Sequence, residues 1–247
     1  NYFTDPIYCL AVIVCMSLPF SNASAAGKST MVLKESANYE LNGEEFEVQT
    51  WEDLYGQQTL LVPTEVQNKT EVARFVDNLL KKGTAIPNKG SSIRPYGQLY
   101  NWTRSDLAGY ASNSKDAKLT WSTSGYGEVA YLYPITTHVN AVKAGTLRST
   151  WLGSGNADKI VVSYSYKFNG VTVSLSYPPS LTASSNTVSW TSLPVTSTWY
   201  VNSTSEAASA ESRTMLTSVD LTATSDIYKG SNIYRPKISF NIPWLGN

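Results

Sequence analysis

Charge is scarce in this chain of 247 residues: Lys, Arg, Asp and Glu together make up 15%, and the formal net charge is zero. There is no basic field that would gather a polyanion, which argues against nucleic acid as a partner. Histidine is nearly missing too. The one present, His138 in PITTHVNAV, has no G-x-S-x-G elbow to serve, and the glycines of LGSGN around Ser154 have the wrong spacing for one. A Ser-His-Asp triad therefore has no place to form, and His138 reads as a residue of a strand edge or loop. Cysteine occurs twice, as Cys9 and Cys15, both within an N-terminal apolar run. Without those two, cysteine-protease chemistry is excluded, and zinc would have to be held almost wholly by carboxylates, an unusual set for that metal. An Asp-rich calcium loop and a phosphate-cradling glycine loop are likewise missing. The expectation is a protein with no cofactor and no metal site.

Long apolar runs are also lacking. The stretch from Ile7 to Phe20 falls short of the roughly 20 residues a helix needs to span a bilayer. It is followed by Ser21, Asn22 and Ala23-Ser24-Ala25, the layout of a secretory signal peptide cleaved near Ala25 or Ala26. No Lys or Arg precedes it. Residues 1–26 are thus expected to be a signal peptide, leaving a cysteine-free mature chain in an extracellular location. Export without disulfides fits a bacterial protein better than a small disulfide-stapled domain.

Aromatics and short strand patterns are what the chain does have, with 7 Trp and 16 Tyr. In NYELNGEEFEVQT, Asn42-Gly43 separates two alternating runs, the pair best suited to a two-residue hairpin because both residues accept positive φ. That turn sets Tyr39 opposite Phe46 and Glu40 opposite Glu45. From Asn68 the period changes: Val72, Phe75, Val76, Leu79 and Leu80 form one stripe of an amphipathic helix. Asn68 is placed to cap it with Glu71 at the third helical position, and Gly83 stops it after Lys81 and Lys82. Between Gly83 and Tyr110, Gly, Pro, Asn and Ser interrupt any period, which reads as a long loop.

After Pro134 the pattern is strands broken by turn chemistry, at the spacing of a sandwich or barrel. The expected fold class is mainly β, an antiparallel β-sandwich with an N-terminal hairpin and one amphipathic helix. The expected domains are an α+β region over 27–134 and the antiparallel sandwich over 135–247. SYSYKFNGVTVSLSY, Ser163 to Tyr177, predicts a hairpin around Asn169-Gly170 with Phe168 facing Val171, Tyr166 facing Val173 and Tyr164 facing Leu175. Its apolar side would serve a sandwich core or, alternatively, lipid. The stop at Pro178-Pro179 leaves the return arm short for a membrane strand.

Two chemistries remain in view. Glycoside hydrolysis needs a carboxylate pair, for which Glu44, Glu45, Glu47, Glu52, Asp53 and Glu128 are available. Sugar binding needs aromatic faces beside amides. Tyr96, Tyr100 and Trp102 in RPYGQLYNW, with Trp121 and Tyr126 in TWSTSGYG, stand in loop-like contexts and form the candidate ligand-binding set; Trp199 and Tyr200 share that context. The functional expectation is a secreted, non-catalytic binding protein for a glycan or the cell envelope. A membrane-active or pore-forming β protein and a carboxylate-dependent glycoside hydrolase are the alternatives.

Overall fold

The computed structural model describes residues 31–83, 97–132, 135–170, 174–213 and 216–243. The expected signal peptide, both cysteines and Tyr96 lie outside the described residues. Seventeen strands and one helix follow one another in this part of the chain. The first third holds β1 (Val32–Leu41), β2 (Glu44–Glu52), β3 (Gln58–Val62), α1 (Lys69–Gly83), β4 (Gly97–Ala111) and β5 (Ser114–Leu132). Next come β6 (Ile135–Val142), β7 (Gly145–Trp151), β8 (Ala157–Asn169), β9 (Ser174–Ser176), β10 (Thr182–Ser184) and β11 (Thr187–Thr191). The last are β12 (Val195–Thr198), β13 (Tyr200–Ser205), β14 (Ala208–Ser212), β15 (Ser218–Lys229), β16 (Asn232–Tyr234) and β17 (Lys237–Pro243).

All strand pairs are antiparallel, and they form the two sheets of a β-sandwich. One sheet runs β1-β2-β3-β13-β7-β5-β6-β14-β9, with β4 on the far edge of β5; the other runs β10-β11-β8-β15-β16, with β12 on β8 and β17 on β15. Strands from either side of position 134 are interleaved in the first sheet, where β13 and β7 separate β3 from β5. No helix among the described residues is long and apolar enough to cross a membrane.

The two locally encoded elements form as their residues dictate. Asn42 and Gly43 take φ of 55° and 78°, and the register pairs Tyr39 with Phe46 and Glu40 with Glu45. The Tyr39 and Phe46 rings stack 6.0 Å apart, and Phe75 of the helix meets Phe46 edge-on at 5.8 Å. Val72 and Val76 are buried beneath the helix. Asn68 caps it through Oδ1, which accepts from the Glu71 N–H at 3.3 Å. Glu71 does not return the bond; its carboxylate accepts from Asn42 Nδ2 instead, tying the helix start to the β1–β2 turn.

The hairpin expected at Asn169-Gly170 is not seen among the described residues, which leave out Val171 and Val173 of its return arm. The outward edges of β8 are already taken: Tyr166 pairs with Leu221 of β15 on one side and Val188 of β11 on the other, and Tyr164 with Ala223 and Trp190. Asn169 is held along β15, its Nδ2 donating to Ser218 Oγ and Asp220 Oδ2, and Leu175 pairs with Ala210 in the opposite sheet. Alternation in β8 is real and buries Tyr164, Tyr166 and Phe168, and the strands that pair with it, β11 and β15, come from farther along the chain. Of the loop expected between Gly83 and Tyr110, residues 97–110 belong instead to the 15-residue strand β4, and residues 84–96 lie outside the described residues.

Between the sheets lies an aromatic core. Trp121 stacks on Tyr166 at 6.0 Å and 15°, and meets Phe240 edge-on at 5.8 Å. A buried bond between the Ser149 and Ser225 hydroxyls, 2.7 Å long, links the two sheets. Glycine sets one contact in the first sheet. A Cβ on Gly125 would lie 2.1 Å from the Ala141 carbonyl oxygen and 2.3 Å from the Trp102 indole. Gly125→Ala is expected to cost about 3 kcal/mol through this overpacking, a fall of roughly 6–12 °C in thermal midpoint; an unchanged midpoint would show that Trp102 does not lie on Gly125.

Candidate functional site

The expected ligand-binding aromatics do not share a surface. Trp102 and Tyr100 pair with Gly125 and Gly127 across β4 and β5, on one face of the sheet, whereas Tyr126 pairs with Asn101 and so points to the other face. Trp102 is only 8% exposed, because Gly125 on the neighbouring strand has no side chain and leaves room for the indole to lie against it. Trp121, Trp199 and Tyr200 are fully buried. Tyr96 lies outside the described residues.

The candidate carboxylates are dispersed as well. Glu44 accepts from the Gln67 backbone N–H at the approach to the helix, Glu47 from Ser36 and Gln49, and Glu52 pairs with Lys34 at 3.0 Å. Glu128 is buried. No group of three or more potential metal ligands occurs among the described residues.

A cleft of about 260 Å³ opens instead where the β2–β3 connection of one sheet meets the β10–β11 segment of the other. Trp190, Tyr55, Gln57 and Asp53 line it, with Ser and Thr hydroxyl residues between them. Trp190 sits on β11 just beyond the start of β10, whose Thr182 pairs with Ser189; it is 9% exposed and leans on Tyr164 at 5.4 Å. Tyr55 is 60% exposed at the rim. The turn that carries Tyr55 is shaped by Asp53, whose Oδ1 accepts the N–H groups of Tyr55 and Gln57 at 2.8 and 2.9 Å, and by Gly56 at φ 81°.

Gln57 is the unusual member. It is 4% exposed, its Nε2 donates to the Thr204 carbonyl at 2.6 Å, and its Oε1 has no hydrogen-bond partner. A buried amide oxygen without a donor is costly, so this atom calls for one. Behind it stands Glu206. Its backbone N–H donates to Tyr164 Oη at 2.8 Å, and its carbonyl accepts from Tyr166 Oη at 2.9 Å. Burial, and then the nearby charge of Asp53, raise the Glu206 carboxyl above the usual range.

A second cleft, about 210 Å³, crosses the face of the first sheet beside α1. Here Asp77 of the helix forms an ion pair with Arg148 of β7 and accepts from Tyr200 Oη at 2.8 Å. Arg148 Nε donates to Thr120 Oγ1 at 2.9 Å, and Asn202 Nδ2 donates to Tyr200 Oη at 3.1 Å. Burial pushes the Tyr200 phenol up to about 12, against the pull of its Asn202 bond. These groups satisfy one another, and the arrangement clamps the helix to the sheet. The cleft at Trp190 therefore holds the clearer unmet demand for a ligand.

Neither Trp190 nor Gln57 was singled out by sequence. TVSWT alternates correctly and puts Trp190 beside Val188 on the apolar face, but the open edge beyond β10 is a property of the assembled sheet. Compared with known proteins, the chain matches no family model, no curated protein and no solved structure, so its function has to be argued from its own residues.

Proposed function

We propose that this chain is an exported, non-catalytic binding protein whose ligand is a glycan of the cell envelope or its surroundings. The observation that supports this reading is the cleft at Trp190, where the exposed ring of Tyr55, the largely buried indole and the partnerless oxygen of Gln57 converge. An aromatic face takes the apolar side of a sugar ring, while amide and hydroxyl groups take its hydroxyls. Export rests on the signal-like N-terminal run read above. The hydrolase alternative finds little in this cleft, since one oxygen of Asp53 is committed to two backbone N–H groups. The membrane-active alternative, motivated by the Ser/Thr-alternating strands, would show itself instead as dye release from liposomes.

Pelleting with purified cell-wall sacculi, followed by titration with soluble oligosaccharides, tests the proposal. Tyr55→Ala removes an exposed ring at no expected cost to the fold. It should weaken binding about two- to tenfold, the range that 0.5–1.5 kcal/mol of ring stacking represents. Binding that is absent for every glycan, or equal in the variant, would overturn it.

A further inference from the structure

The cleft at Trp190 presents acceptors and negative charge with little to balance them. One wall, from Ser180 to Leu193, contains no Lys, Arg, His, Asp or Glu, so it lines the cleft with Ser and Thr hydroxyls, Trp190 and Leu193. The other wall carries Asp53, with Glu206 close enough for its ionisation to be resisted by the Asp53 charge. Glu52 next to Asp53 is neutralised by Lys34 at 3.0 Å, and no cation lines the cleft. Gln57 turns its donor away, to Thr204 at 2.6 Å, and keeps an acceptor without a partner. Because its nitrogen is held by a carbonyl, the amide cannot flip to offer a donor without breaking that bond.

Such a site asks its ligand for N–H or O–H donors and for positive charge. We infer that the sugar recognised here carries a free amine: the cleft selects aminated, cationic glycan units over neutral or N-acetylated ones. This rests on the glycan reading above and narrows it to a chemical class.

Three hexasaccharides of the same β-1,4 linkage, built from glucosamine, N-acetylglucosamine and glucose, separate the possibilities when titrated into the full chain by calorimetry. The expected result is at least tenfold tighter binding of the glucosamine hexamer. Asp53→Asn keeps the oxygen that accepts the Tyr55 and Gln57 N–H groups, so the turn survives while the charge is removed; the preference should then shrink to threefold or less. Should that variant fold poorly, the wild-type chain supplies the second measurement. Raising NaCl from 50 to 500 mM should weaken the glucosamine hexamer severalfold and leave the two neutral hexamers unchanged. Equal affinity for all three hexamers would overturn amine selection while leaving glycan binding intact. Failure of all three to bind would overturn both. Retention of the full preference in a folded Asp53→Asn variant would contradict the role given to that carboxylate.

Discussion

Raising the pH from 9 to 11 is expected to remove about 4 kcal/mol of folding stability. Three phenols are responsible. Tyr164, Tyr166 and Tyr200 are buried, and in each case desolvation is the largest cause that holds the hydroxyl protonated, pushing Tyr200 up to about 12 and the other two well above the ordinary phenol value. In the unfolded chain each ionises near pH 10. Above that value the unfolded state has released protons that the folded state keeps, so stability falls as pH rises. Each phenol contributes about 1.4 kcal/mol over the interval, the equivalent of one pH unit beyond its unfolded pKa. Lys69 acts with the opposite sign: burial lowers its pKa, so the folded state loses its proton first and stability gains slightly over the same range. Tyr166→Phe should flatten the slope by about a third. Urea midpoints from pH 8 to pH 11 check this, and a flat profile would mean that these phenols are not sequestered between the sheets.

Trp121→Ala should be about as costly, near 4 kcal/mol, the range measured for deleting a large aromatic from a core. The indole is fully buried, touches Tyr166, Tyr164 and Phe240, and donates from Nε1 to Ser205 Oγ at 3.1 Å. Its loss opens a cavity between the sheets and leaves the buried Ser205 hydroxyl short of a donor. Thermal unfolding should move down by roughly 8–16 °C. Were Trp121 an exposed platform residue, as its sequence context suggests, the same change would alter stability by no more than about 0.5 kcal/mol.

The contrast shows where sequence reasoning reaches. The β1–β2 turn and the helix were legible because their signals are local: Asn42-Gly43 prescribes its own backbone conformation, and Val72, Phe75 and Val76 are spaced by the helix itself. In β8 the alternation correctly placed Tyr164, Tyr166 and Phe168 on the buried face. It could not name their partners, since Leu221 and Val188 compete for the same edges from far along the chain. Trp102 and Trp121 stand in strands and are buried, not in loops as their contexts suggest, for a related reason. Gly125 and Gly127 look like turn residues in isolation, whereas within a sheet a glycine is also the place where an indole can lie flat. For the cleft at Trp190 no local pattern existed. Its character depends on β10 beginning only at Thr182, opposite Ser189, on the burial of Gln57 and on the approach of Asp53 to Glu206, all of them consequences of two sheets meeting.

Hydrogen exchange of the full chain, with and without a saturating glucosamine oligosaccharide, tests the location of binding most directly. Added protection confined to peptides covering residues 53–59 and 180–193 is the predicted result. Protection centred on β4 around Tyr100 and Trp102, or along the helix-side cleft at Arg148, would contradict the assignment of the ligand to Trp190.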